Sequence, residues 1–106
     1  MSERERRIGL NEAVFREVNE HVESLSQGTD ALSIVCECGE LSCTERLFVS
    51  PAKYEAVRAH AALFLVAPGH VAADVEDVVE RSDGFEIVRK HEGEAQQIAE
   101  ETDPRR

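Results

Sequence analysis

Three cysteines within eight residues constrain this chain more than any other feature. Cys36, Cys38 and Cys43 are its only cysteines and stand in the stretch Val35-Cys36-Glu37-Cys38-Gly39-Glu40-Leu41-Ser42-Cys43. Thiols this close in sequence meet in any folded form. As thiolates they are soft ligands of the kind that bind zinc or an iron–sulfur cluster. Gly39 lies inside the cluster and permits a tight turn there. Cys-x-Cys can put two sulfurs on one ion if the backbone turns between them, and the residues after Cys38 let Cys43 swing back. The intervening Glu37 is expected to point to solvent, as is Glu40.

Zinc takes four ligands in a tetrahedron, so one more donor is needed. The histidines are His21, His60, His70 and His91. His70 is the candidate, because it ends a Pro68-Gly69-His70 turn at the end of a predicted strand, where the cysteine loop could also lie. His60 falls at a helix end, where the dipole favours an imidazolium. His21 lies on the polar side of a helix, and His91 follows the charged pair Arg89-Lys90. The predicted metal set is therefore Cys36, Cys38, Cys43 and His70, with zinc as the ion.

A two-iron cluster held by three cysteines and a histidine is the alternative. That class places its third cysteine and its histidine in a Cys-Asp-Gly-Ser-His stretch, and Cys43-Thr44-Glu45-Arg46 does not match it. Three thiolates and an imidazole also close the site to water, which argues against hydrolytic zinc. The His-x-Glu and Pro-Cys-x-x-Cys pair of the zinc deaminases is absent, as are a phosphate loop, His-Glu-x-x-His and a nucleophile elbow. Enzymatic activity is less expected than a binding role.

A chain of 106 residues makes one domain of modest core. Structural zinc, worth roughly 10–16 kcal/mol in small peptides, would stabilise it. Asp and Glu number 22 against 12 Lys and Arg, for a formal charge of −10. That surface repels nucleic-acid phosphate, so direct nucleic-acid binding is not expected. It could keep the protein soluble, meet a basic partner patch, or occupy the basic groove of a nucleic-acid-binding protein. No signal peptide or membrane span is read: five of the first seven residues are charged with no apolar run behind them, and the apolar run 61–67 is too short to cross a bilayer. The expected compartment is the cytoplasm, where thiols stay reduced and bind metal rather than pair.

Residues 1–10 read as a flexible N-terminus. Val14, Phe15, Val18, Val22 and Leu25 recur at three- and four-residue steps, predicting an amphipathic helix from Asn11, its cap, to about Gln27. Residues 31–37 and 44–49 read as strands of a hairpin whose loop carries the thiols. Ser50-Pro51 opens a helix running to about His60, with Tyr54 and Val57 inward. Strands follow at 63–67 and 85–88. Val75, Val78 and Val79 predict a short helix over 73–82, ended by Asp83-Gly84. Residues 93–106 read as an acidic tail, loosely helical or mobile. The expected architecture is α+β, a small antiparallel or mixed sheet of about four strands with two to three covering helices, over a single domain at 11–92.

Phe15-Arg16-Glu17-Val18-Asn19-Glu20, Val35-Cys36-Glu37-Cys38-Gly39 with Cys43, Tyr54-Glu55-Ala56-Val57-Arg58, and Phe64-Leu65-Val66-Ala67-Pro68-Gly69-His70 together resemble a family of small uncharacterised actinobacterial proteins. The resemblance spans Asn11 to Arg105 and is most specific at the cysteine cluster and the Pro-Gly-His turn. It implies that the cysteine loop and His70 belong together, and it implies no substrate or reaction. The expected function is a small zinc-binding adaptor or regulator that acts by contact with a protein partner. A thiol–zinc redox sensor or a metal-dependent enzyme would use the same residues.

Overall fold

Alternating apolar residues build the first sheet. In β1 (Leu32–Val35) the side chains of Leu32 and Ile34 are buried, and in β2 (Arg46–Val49) those of Leu47 and Val49 are. Period-two alternation puts each set on one face of its strand. The strands are antiparallel, with Leu32 opposite Val49 and Ile34 opposite Leu47, so the buried pairs face the same side. Their connection carries all three cysteines, as the hairpin reading expected.

The second sheet has the order β3-β5-β4 and is also antiparallel, formed by β3 (Leu63–Val66), β4 (Glu76–Ser82) and β5 (Phe85–Lys90). With α1 (Glu3–Leu25), α2 (Pro51–Arg58) and α3 (Glu94–Glu101), the computed structural model, which describes residues 3–105, is an α+β fold of three helices and two small antiparallel sheets. Glu37 joins the sheets: its N–H donates to Leu65 O (2.8 Å), and its carboxylate accepts the Leu65 N–H (3.0 Å). The shared core includes Leu32, Ile34, Leu47, Tyr54, Phe64, Leu65 and Val88.

Helix α2 forms as its local sequence dictates. The Ser50 hydroxyl accepts the Lys53 N–H at 3.0 Å, Pro51 opens the first turn, and Tyr54 and Val57 are buried. Segment 76–82 differs from the predicted helix and is a strand. Its two adjacent valines are β-branched and suit a pleated surface. Asp83-Gly84, read as a helix breaker, is the two-residue loop of a β4–β5 hairpin in which Ser82 faces Phe85 and Gly84 takes φ +85°. An irregularity between Val78 and Glu80 leaves Val79 exposed.

The N-terminal helix departs furthest from the periodicity reading. It starts at Glu3, so the described part of segment 1–10 is helical, and Asn11 is an interior residue whose Nδ2 donates to Gly39 O (2.9 Å). Its buried face is Gly9, Glu12, Arg16 and Asn19, whereas Val14, Val18 and Leu25 are exposed. Each buried polar side chain has fixed partners, although Glu12 Oε2 and Arg16 Nε have none. Asn19 accepts the Val35 N–H (2.9 Å) and donates to Val35 O (2.9 Å) and to Glu37 Oε2 (2.8 Å). Arg16 donates to Ala61 O and Ala99 O and lies 4.5 Å from the centre of the Phe64 ring. Gly9 lets α3 approach, since a Cβ there would lie 2.9 Å from Ile98 Cγ2.

Segment 93–106, expected as an acidic tail that is loosely helical or mobile, carries α3 with Ala95, Ile98 and Ala99 buried. Asp103 then pairs with the buried Arg58, and Arg105 binds the carboxylates of Glu20, Glu23 and Glu55. A further charged group lies between α1 and the second sheet. Lys90 Nζ donates to Glu12 (2.7 Å) and to Glu76 (3.0 Å), and all three side chains are almost fully enclosed. Burial, reinforced by the charge of Glu76, holds the Glu12 carboxyl well above the usual carboxylate range despite the opposing pull of Lys90.

This cluster sets the sign of a pH effect. The unfolded chain releases the Glu12 proton near the ordinary value of 4.5, while the folded chain keeps it to higher pH. The folded state binds more protons in between, so the Glu12 contribution to stability falls as pH rises through that window. Urea unfolding between about pH 5 and about pH 8 should give wild-type stability a downward component that Glu12→Gln lacks. Parallel pH profiles for the two proteins would contradict this.

Candidate metal centre

Two loops from different parts of the chain converge at the junction of the sheets. The first leaves β1 at Cys36. The Cys36 N–H still donates to Glu45 O across the hairpin (3.1 Å), and the chain then turns away. Gly39 makes the turn possible on two counts. It takes φ +79°, and a Cβ there would lie 2.9 Å from Ile8 Cγ2 and 3.1 Å from the Ile8 carbonyl oxygen of α1. A second turn, with the Cys43 N–H donating to Glu40 O (2.9 Å), returns the third thiol toward the first two.

The second loop leaves β3 at Ala67. The His70 N–H donates to Ala67 O (3.0 Å), closing a four-residue turn with Pro68 and Gly69 at its centre. Pro at the second position and Gly with φ +81° at the third are the signature of a type II turn. The Glu86 carboxylate accepts the Gly69 N–H (3.1 Å) and fixes the turn to the central strand. Geometry dictated by two residue types therefore aims His70 at the cysteine loop.

The four side chains come together. Ligand atoms of Cys36, Cys38, Cys43 and His70 all lie within 4.8 Å of one another and could hold a metal ion. His70 Nδ1 is 3.6 Å from Cys36 Sγ and 3.6 Å from Cys43 Sγ. Around a tetrahedral ion with sulfur at about 2.3 Å and nitrogen at about 2.0–2.1 Å, the sulfur–nitrogen edge is about 3.5–3.6 Å. Both separations match that edge. The other three histidines lie outside this group: His21 and His60 are exposed, and His91 pairs with Asp77 at 3.3 Å.

The electrostatics also suit a cation. Cys36 and Cys38 are buried, and Cys43 is half-buried. Burial is the main force that pushes the Cys36 thiol far up, with the neighbouring sulfurs of Cys38 and Cys43 adding to it. Burial likewise raises Cys38. Two backbone donors act the other way: the Ala67 N–H bonds Cys36 Sγ at 3.1 Å, and the Glu40 backbone bonds Cys38. Amides aimed at sulfur stabilise thiolate. A bound divalent ion would supply the remaining positive charge and let adjacent thiols ionise together.

Glu37 corrects the expectation of a solvated loop charge, whereas Glu40 is exposed as expected. Glu37 is fully buried, and burial raises its carboxyl against the pull of its Asn19 and Leu65 hydrogen bonds. The residue between the first two thiols is thus a rivet between α1, β1 and β3. No feature of the local sequence signals this role, because its partners lie 18 and 28 positions away. A cavity of about 280 Å³ adjoins the centre, lined by Arg4, Ile8, Cys38, His70 and Val71 among others.

No family model, curated protein or solved structure matches the chain. Among the described residues, no helix is long and apolar enough to cross a membrane.

Gly39→Ala should damage the centre without altering any ligand. The left-handed backbone and the contact with α1 both resist a methyl group, at a cost of roughly 1–3 kcal/mol. Thermal unfolding should show a clear loss of stability, and metal titration should show weaker binding. Gly28→Ala is the control, since Gly28 has φ +82° but no neighbour within 4 Å. Equal metal affinity in the two variants would show that the close approach at Gly39 does not shape the site.

Proposed function

We propose that this protein is a small zinc-binding domain whose Cys36, Cys38, Cys43 and His70 hold one structural ion, and that it works as a non-enzymatic adaptor or regulator through protein contacts. The observation that carries the reading is the pair of equal 3.6 Å separations from one imidazole nitrogen to two sulfurs. Three sulfurs and one nitrogen are a donor set that zinc prefers, and four protein ligands leave no position for a reacting water. The ion would tie the β1–β2 loop to the turn after β3, two segments distant in sequence. Its binding energy would then be folding energy. Three free thiols at such a site suit the reducing cytoplasm.

A redox-responsive version of the same site is the second reading, favoured by the partial exposure of Cys43. Oxidation of that sulfur by a peroxide would remove a ligand and release the ion.

Purified protein should contain one zinc per chain by elemental analysis, and chelation should lower the melting temperature strongly. Protein without stoichiometric zinc, or with zinc whose removal leaves stability unchanged, would overturn the structural role. Cys38→Ser should lose the metal and destabilise the domain. His70→Ala should weaken zinc affinity by at least about tenfold, while His60→Ala and His91→Ala should leave it near wild type. Equal affinities in the three histidine variants would remove His70 from the site. Zinc retained under peroxide would count against the redox reading alone.

A further inference from the structure

The three sulfurs of the centre are not equivalent. Cys36 and Cys38 are buried, whereas Cys43 is half-buried on a loop whose residues 40–42 are exposed. Each buried sulfur takes a backbone amide, but from a different place. Cys36 Sγ accepts the Ala67 N–H (3.1 Å) from the opposite loop, and the Cys36 N–H is held by Glu45 O (3.1 Å). Cys36 also adjoins Glu37, whose backbone and carboxylate are fixed to Leu65. Cys38 is bonded by the Glu40 backbone, from within its own loop, and lines the cavity of about 280 Å³ beside the centre. An amide on sulfur withdraws electron density and burial excludes reagents, so Cys43 is the sulfur that a small oxidant meets first.

The register of the first sheet marks out its partner. The ladder ends with Val35 opposite Arg46, and three residues further along each side stand Cys38 and Cys43. They flank the loop of Gly39, Glu40, Leu41 and Ser42, and their sulfurs already lie within 4.8 Å. A bond between these two is closed by movement of the exposed loop. A bond to Cys36 has to break its contact with Ala67.

We infer that the centre is a peroxide-sensitive switch in which Cys43 is oxidised first and Cys38 then joins it in a disulfide, leaving Cys36 as the free thiol. This order rests on the zinc reading and adds to its redox form the partners and the sequence of steps. The Cys43 thiolate attacks one oxygen of a hydroperoxide. An S–O bond forms, the O–O bond breaks, and the second oxygen leaves as hydroxide or alkoxide and takes a proton from water. Sulfur has given up two electrons and is a sulfenic acid. The Cys38 thiolate then attacks that sulfur: the S–S bond forms, the S–O bond breaks and hydroxide leaves. Two of four ligands are lost, so the ion is released. Exchange with a dithiol reverses the link.

Peptide mapping of zinc-loaded protein treated with hydrogen peroxide, then denatured in N-ethylmaleimide, tests this. Cleavage after Glu37, Glu40 and Glu45 puts the three cysteines on separate peptides. Peptide 38–40 should be linked to peptide 41–45, Cys36 should carry the maleimide, and zinc release should follow the loss of two thiols per chain. A cyclic 1,3-dione present during oxidation should label Cys43 and suppress the link. A dithiol with added zinc should return the zinc content to its starting level. A disulfide that includes Cys36, or a dione label chiefly on Cys36 or Cys38, would overturn the switch and leave structural zinc standing. Zinc and thiols both unchanged by peroxide would do the same. Protein that carries no zinc before treatment would overturn the zinc reading, and the switch with it.

Discussion

The cysteine loop and the Pro-Gly-His turn meet where β1 passes β3, and the rest of the architecture serves that meeting. Glu37 holds the two strands together through both backbone groups of Leu65. Asn19 holds Glu37 and Val35 from the helix side. The sulfurs of Cys36, Cys38 and Cys43 and the imidazole of His70 are thereby brought within 4.8 Å. Burial and the neighbouring sulfurs raise the Cys36 thiol, and a divalent cation among the sulfurs would offset this by stabilising the thiolates. In this account a bound ion would close a junction that a few buried hydrogen bonds have already aligned.

The polar interior follows from the same demand. A buried carboxylate at Glu37 needs donors, and α1 supplies Asn19. Arg16 on the same face satisfies carbonyls of Ala61 and Ala99, and Glu12 meets Lys90 of the central strand. Buried polar groups with fixed partners specify orientation more sharply than apolar packing does, and unpaired they are costly. The face of α1 that these contacts select is the polar one, which leaves Val14, Val18 and Leu25 outside.

The site was legible in the sequence because its chemistry is local. Residue type gives the candidate ligands, Gly39 gives the loop, and Pro68-Gly69 gives the turn that aims His70. The cap at Ser50 and the hairpin around the thiols were legible for the same reason. Three things were not. The buried face of α1 is chosen by partners from β1, β5 and α3, so apolar periodicity marked only its edge: Phe15 and Val22 are half-buried, while Val14, Val18 and Leu25 are exposed. Glu37 reads as a loop charge until Asn19 and Leu65 surround it. Segment 76–82 has valines spaced for either a helix or a strand, and pairing with β5 decides between them. The acidic composition after Gly93 left a loose helix or a mobile tail open, and α3 is fixed by few apolar residues because Gly9 admits them closely.

X-ray absorption at the zinc edge of the purified protein tests the central claim most directly. The account predicts a four-coordinate ion with three sulfurs at about 2.3 Å and one nitrogen at about 2.0–2.1 Å. A shell of oxygen and nitrogen without sulfur, or the absence of any bound zinc to measure, would contradict it.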